Sequence, residues 1–331
     1  MLKMRKLRKP KILQRFNIPG IFWGVVLLFI LFGFLRPEKF LSMTNIMFLT
    51  RNSAVLIVAA IGMTCAILIS QIDLSVGALM SLAGVISAVL IREGFPIFLA
   101  LLMAVLSGVL VGLINGLLIA RFKFDYWIVT FATMGVCAGL ALVVSDGRTV
   151  PVSNDIFTWI GGGKIGPFFF LVYLAVFLVI VMQLVLSKTK FGHKVYAIGG
   201  SEQNAMNSGI TVVRNRIYVY MISGLFASIA GIILAAMGSA ASPISGVSYS
   251  FEAIAAVIIG GTTFDGGKGG VIGTVLGALM LRVLASGLNL LGVAPTWQQL
   301  IIGFVIVTVI VVDVLNDKRN KRNDLGRRYV Q

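Results

Sequence analysis

Apolar stretches recur along the whole chain, and polar residues collect between them rather than alternating within them. Runs such as "IFWGVVLLFILFGFL" and "FFFLVYLAVFLVIVMQLVL" lack the alternation of transmembrane β-strands, so helices are the expected elements. A helix crosses a bilayer with about 20 apolar residues. On that basis ten candidate spans lie at 19–35, 46–70, 74–91, 96–120, 126–144, 166–186, 216–237, 250–263, 270–291 and 297–314. The second and third are divided only by "SQID". The eighth is too short to cross alone at about 1.5 Å per residue, so a half-helix or a dipping loop is expected there. The fold class is therefore all-α: a polytopic membrane protein with about ten transmembrane helices. It divides into a basic segment 1–18, a membrane domain 19–314 and a basic tail 315–331.

One segment breaks the pattern. "VYAIGGSEQNAMNSGI" (195–210) is polar, and it lies in the longest connection, 187–216. Ser201 can cap a short helix, Glu202 suits its first turn and Gly209 can end it. Two turns are too few to be stable alone in water, so the helix must rest on something. Its only apolar residues, Ala205 and Met206, fit a shallow protein groove better than a membrane surface, which leaves docking on a partner and a plain capped loop as the two readings. The connection 145–166 is rich in Gly, Pro, Asn and Asp, which predicts surface turns.

Composition supports the membrane reading. Of 331 residues 58% are hydrophobic and 12% charged, against about 25% charged in soluble domains. A net charge of +16 would point to nucleic acid in a soluble protein. Here its placement accounts for it, and no nucleic-acid partner is expected. With ten crossings and an inner N-terminus, 21 of the 28 Lys and Arg fall in inner segments. Six fall outside (Arg36, Lys39, Arg51, Arg92, Arg148 and Lys164), and Arg282 stands within a span. The asymmetry predicts both termini in the cytoplasm. The basic start before the first span resembles a signal sequence, but no small-residue cleavage site follows, so it reads as an uncleaved first helix. Cys65 and Cys137 lie in apolar runs and read as small core residues. His193 reads as an exposed loop residue, and no metal site is expected.

Four polar residues inside the apolar region are candidates for a translocation pathway: Asp73, Asn115, Glu252 and Asn289. Asp73 and Glu252 each precede an apolar run, which favours helix N-caps near the interface over pathway acids. For Asn115 and Asn289, interhelical hydrogen bonding is favoured over contact with a solute. Trp297 reads as an interfacial anchor beside Gln298, and Arg282 either snorkels or pairs. Small residues three and four apart in "SGVLVGLING" and "GGVIGTVLGA" predict closely packed helices. The phosphate-loop pattern is absent. "GGTTFDGGKGG" has Gly269 where Ser or Thr is needed, so any ATP must be bound by another chain.

The chain resembles the membrane-spanning permease subunits of bacterial ATP-binding-cassette importers for ribose, xylose and galactose. The resemblance is carried in order by "ILISQIDLSVGALMSLAG", "GLINGLLIARFKFDYWIVTFATM", "GHKVYAIGGSEQNAMNSGITV" with "YVYMISGLFASIAG", and "FEAIAAVIIGGTTFDGGKGGVIGTVLGALML" continuing to "GLNLLGVAPTWQQLIIG". These cover most of residues 50–305. The resemblance implies a type II-like permease fold in a bacterial plasma (inner) membrane. It implies that 187–216 is the coupling loop docking on a cytosolic ATPase, with Gly199, Gly200, Ser201, Ala205, Ser208 and Gly209 as the coupling residues and the glycines allowing tight turns at either end. It also implies an extracytoplasmic sugar-binding protein and a second permease copy or sister permease as partners, with no cofactor of the chain's own. Two departures stand out: Asp125, Tyr126 and Trp127 replace the family's usual Pro-Phe, and Ser286-Gly287 replaces Asn-Gly, so the particular sugar does not carry over. The rival readings are an ion-coupled secondary transporter, a channel, and a permease for branched-chain amino acids or nucleosides. A membrane enzyme lacks any matching motif.

Overall fold

A computed structural model describes residues 20–294 and, beyond them, 296–298, 300–305, 307, 308 and 311. The basic segment 1–18 and the tail 315–331 lie outside the described residues, as does part of the tenth candidate span, whose described positions are helical. The helices are α1 (Gly20–Leu35), α2 (Pro37–Phe40), α3 (Met43–Leu68), α4 (Val76–Arg92), α5 (Ile97–Ala120), α6 (Tyr126–Val144), α7 (Asp155–Gly162), α8 (Phe170–Lys188), α9 (Lys190–Gly200), α10 (Glu202–Asn207), α11 (Val212–Gly238), α12 (Tyr249–Ile259) and α13 (Val271–Leu290). Four two-residue strands join them: β1 (Val150–Pro151), β2 (Lys164–Ile165), β3 (Phe168–Phe169) and β4 (Ala240–Ala241). β1 pairs antiparallel with β4, and β2 with β3.

Among the described residues six helices are long and apolar enough to cross a membrane, and α1, α4 and α12 are shorter apolar helices. Of the six, α3 and α11 are the most enclosed, and the shorter α4 is buried along most of its length. α4, α5, α12 and α13 pack around α3 and α11. Lipid is as apolar as Leu, so helix association here relies on close fit rather than on a hydrophobic drive. The predicted small-residue stripes supply that fit. Gly108, Gly112 and Gly116 of α5 lie on α11, and a β-carbon at Gly112 would overlap the Tyr220 carbonyl. Gly273 and Gly277 of α13 lie equally close to the backbone of α12 at Gly260 and Ala256.

Two chain breaks enter the bundle. α3 ends at Leu68, Ser70 takes a left-handed φ of 61°, and α4 begins only at Val76. α11 ends at Gly238, the following Ser239 is also left-handed, and the chain dips inward after β4. There Gly246 N–H donates to Ser81 Oγ (2.8 Å), and Ser250 Oγ accepts from Gly77 N–H (2.8 Å) while donating to the Leu74 carbonyl (3.0 Å). α12 therefore starts within the bundle. Its 11 residues span about 16 Å, roughly half a hydrocarbon core. This is the half-helix expected at 250–263.

Two predicted connections differ from expectation. Residues 145–166 hold α7, capped by Asn154 Oδ1 on the Phe157 N–H (3.1 Å), rather than turns alone. Gly161 lies against the α11 backbone at Ala236, and Arg51 donates to the Gly161 and Met237 carbonyls (3.0 and 3.1 Å). Arg51, in the early turns of α3, thus ties down the C-terminal end of α11. Residues 187–216 are mostly helical: α9 packs along the end of α8, and α10 follows it. The packed environment of Gly192 and Gly199 offsets their poor intrinsic helix propensity. His193 consequently sits on a helix, exposed, with Nδ1 2.7 Å from the Thr189 carbonyl oxygen.

Candidate functional site

The sequence-predicted residues fall in three separate places. The first is the α9–α10 protrusion. Thr189 caps α9 by accepting from Gly192 N–H (3.3 Å), and Val195 and Ile198 bury its inner face. Gly199 meets the end of α3 so closely that a β-carbon would overlap the Leu68 carbonyl. That carbonyl also accepts from Gly267 N–H (2.9 Å), and Ser70 Oγ donates to the Asp265 carbonyl (2.6 Å). Tyr196 Oη donates to the Gly269 carbonyl at 2.9 Å. Burial, with a smaller push from Cys65, raises the Tyr196 phenol above its ordinary value, so it keeps the proton it donates.

Ser201 then caps α10, its Oγ accepting from Asn204 N–H at 3.3 Å. Ala205 is buried, and its carbonyl accepts from Ile210 N–H (3.0 Å). Gly209 closes the helix at φ 77°. Glu202 is tied to Arg216 of α11 at 2.5 Å. The surface that α10 needs is therefore α9 and α11. Gly199 and Gly200 form the last turn of α9 instead of a tight loop, while Gly209 does make the expected turn. Gly199 and Ala205 face inward; Gly200, Ser208 and Gly209 are exposed, as are Asn204, Met206 and Asn207, and Ser201 is partly covered.

The second place is a sealed polar network. Asp73 is 1% exposed. Its carboxylate accepts from Ser75 N–H (3.0 Å), Ser75 Oγ (2.5 Å) and Ser223 Oγ (2.7 Å). Asn115, fully buried, donates to Ser75 Oγ (3.2 Å) and accepts from Thr133 Oγ1 (2.7 Å). The chain of contacts joins α6, α5, the break before α4, and α11. Asp73 is therefore not an interfacial cap; it is enclosed where α4 starts late. Asn115 makes the interhelical bonds favoured for it. Sequence reasoning missed Ser75, Ser223 and Thr133. The Asp-x-Ser spacing at 73–75 was a usable signal for Ser75, since an Asp side chain readily bonds two residues on.

The third place lies where the first turns of α3 meet the last turns of α13. Glu252 is not a cap either. It sits in the first turn of α12, paired with Arg282 Nη2. Arg282 thus pairs, and its guanidinium lies 5.2 Å from the Tyr249 ring centroid. Beside the pair is a cavity of about 440 Å³, walled by Asn45 and Asn52 of α3, Arg282, Ser286 and Asn289 of α13, and Gln298. Ser286 Oγ donates to Asn45 Oδ1 (3.0 Å), and Gln298 Nε2 to the Val293 carbonyl (2.7 Å). The Asn289 side chain makes no interhelical bond among the described residues and is exposed, against the favoured reading. Trp297 is exposed and stands outside this wall. Asp73 with Asn115, and Glu252 with Asn289, therefore form two clusters rather than one site.

Comparison with known proteins matches residues 45–310 to the family described as branched-chain amino acid transport system / permease component. The chain is 40% identical over 299 residues to the ribose import permease protein of Bacillus subtilis (strain 168), covering 89% of this chain and 92% of that protein. It is 34% identical over 304 residues to the D-allose transport system permease protein of Escherichia coli (strain K12), covering 90% and 92%. It is also 34% identical over 262 residues to the L-arabinose transport system permease protein of the same strain, covering 79% and 80%. No solved structure matches.

Proposed function

The chain belongs to the branched-chain amino acid transport system / permease component family, and from that membership we propose that it forms the translocation pathway of an ATP-driven monosaccharide importer. One observation carries the choice of sugars over amino acids. Relatives named for ribose, allose and arabinose align over most of the chain. The sequence has no phosphate-loop motif, which supports a separate cytosolic ATPase as the binder of ATP. An extracytoplasmic binding protein delivers the sugar, and a second copy or a sister permease completes the pathway. Both termini and the α9–α10 protrusion lie on the cytoplasmic side of a bacterial inner membrane, as the Lys and Arg distribution supports.

In this reading α10 is the docking helix. Gly199 and Ala205 set its pose against the bundle, Ser201 caps it, and Gly200, Ser208 and Gly209 meet the ATPase together with Asn204, Met206 and Asn207. Closure of the ATPases then rocks the bundle between outward and inward states.

Detergent extracts of the chain are expected to retain an ATPase subunit. Gly200→Arg, or a scramble of 201–208, should release it while the bundle keeps its melting temperature. Retention by both variants would remove the docking role. Cells lacking the chain should lose uptake of at least one of ribose, allose and arabinose. Accumulation in vesicles holding this chain alone, driven by an ion gradient and indifferent to nucleotide, would replace the reading with secondary transport.

A further inference from the structure

The bundle has larger recesses than the one beside Arg282, but they differ in lining. The recess of about 710 Å³ between α5 and α6 is walled mainly by residues such as Leu110, Ile114 and Val136, as acyl chains require. The cavity of about 440 Å³ is polar by comparison. Asn52 and Asn289 are exposed there, and neither side chain is hydrogen-bonded among the described residues. An amide facing hydrocarbon without a partner is costly, so this wall faces water or a polar molecule rather than lipid.

The donors and acceptors suit a particular chemistry. Asn52 and Asn289 offer free amides with both donor and acceptor groups. Arg282 lies behind these amides, its Nε–H enclosed and without accessible surface. Its charge is already matched by Glu252, so the wall presents directional hydrogen bonds and no net charge to attract an ion. Phe48, 47% exposed, adds an apolar ring face. The volume falls within the roughly 300–1,000 Å³ of small-molecule sites. The cavity also lies at the end of the bundle opposite α10, formed by the start of α3 and the end of α13.

We infer that this cavity is a station for one neutral monosaccharide, bound by the exposed amides of Asn52 and Asn289 on the side where a binding protein delivers it. The inference rests on the importer reading above. Single Asn52→Cys and Asn289→Cys substitutions test it in the assembled transporter, because the native Cys65 and Cys137 are buried and give little background. A membrane-impermeant maleimide should label both new cysteines. Saturating amounts of whichever of ribose, allose or arabinose the unmodified transporter takes up should slow labelling severalfold, and Asn289→Ala should raise KM for that sugar about tenfold, as one lost hydrogen bond does. Labelling indifferent to a transported sugar overturns the station alone. Absence of labelling, with disulfide cross-linking of position 52 or 289 between copies, assigns the wall to a subunit interface instead. If the unmodified transporter takes up none of the three sugars, the importer reading fails first and takes this ligand with it.

Discussion

Two carboxylates are held inside the bundle by different means. Asp73 is sealed among neutral donors, the hydroxyls of Ser75 and Ser223 and one backbone N–H. Glu252 is held by a cation, Arg282, which itself lines an open cavity. Hydroxyls are short, so the Asp73 arrangement exists only while α11 and the break before α4 stay close. A guanidinium on a long stem tolerates movement of its backbone. The first arrangement is therefore a tie that fixes helix spacing. The second keeps a charge compensated beside a polar cavity.

Removing Asp73 should have the largest effect. Asp73→Ala strips the acceptor from three buried donors and should lower stability by about 3 kcal/mol, read as a fall in melting temperature in detergent. Asp73→Asn retains an acceptor and should recover part of it. An unchanged melting temperature in the alanine variant would mean that the carboxylate ties nothing together. Arg282→Gln comes next. The pair's side chains remain 17% and 20% exposed, so the cost of stranding Glu252 should be about 1–3 kcal/mol, below that of a dry pair. The double variant Arg282→Gln with Glu252→Gln should regain most of this loss. Strict additivity of the two single changes would show that the pair contributes no coupling. Glu202→Gln is the smallest. It breaks the same kind of pair in a more open setting, where the Glu202 side chain is 43% exposed, and should change stability by no more than about 0.5 kcal/mol. An effect matching that of Arg282→Gln would erase the distinction between the two environments.

Much of the fold was legible because lipid leaves the backbone few choices. The spans, the half-helix at 250–263 and the glycine stripes of α5 and α13 followed from length and spacing alone. The caps of α10 were legible as well, since Ser201 and Gly209 act within a few residues of themselves. What failed depended on distant partners. "FGHKVYAIGG" reads as a loop until Gly199 is placed on the end of α3, and 145–166 reads as turns until Gly161 meets α11. Asp73 and Glu252 carry the same local signature, an acid before an apolar run. Their different surroundings come from Ser223, 150 residues away from Asp73, and Arg282, 30 away from Glu252. Asn289 was misjudged for a related reason: spacing reports that an amide lies in a span, not whether a facing helix reaches it.

Where α9 crosses the end of α3, the chain backbones touch with no side chain between them: Gly199 abuts the Leu68 carbonyl, which is also gripped by Gly267. Such a joint has no cushion. A side chain can swing to another rotamer and absorb a small displacement, but main chain against main chain passes it on or loses the bond at Leu68. Strain applied at the protruding helix is thus delivered undamped to the break after α3 and to the connection between α12 and α13, and even one added methyl at residue 199 would act as a shim, setting the whole lever at a new angle.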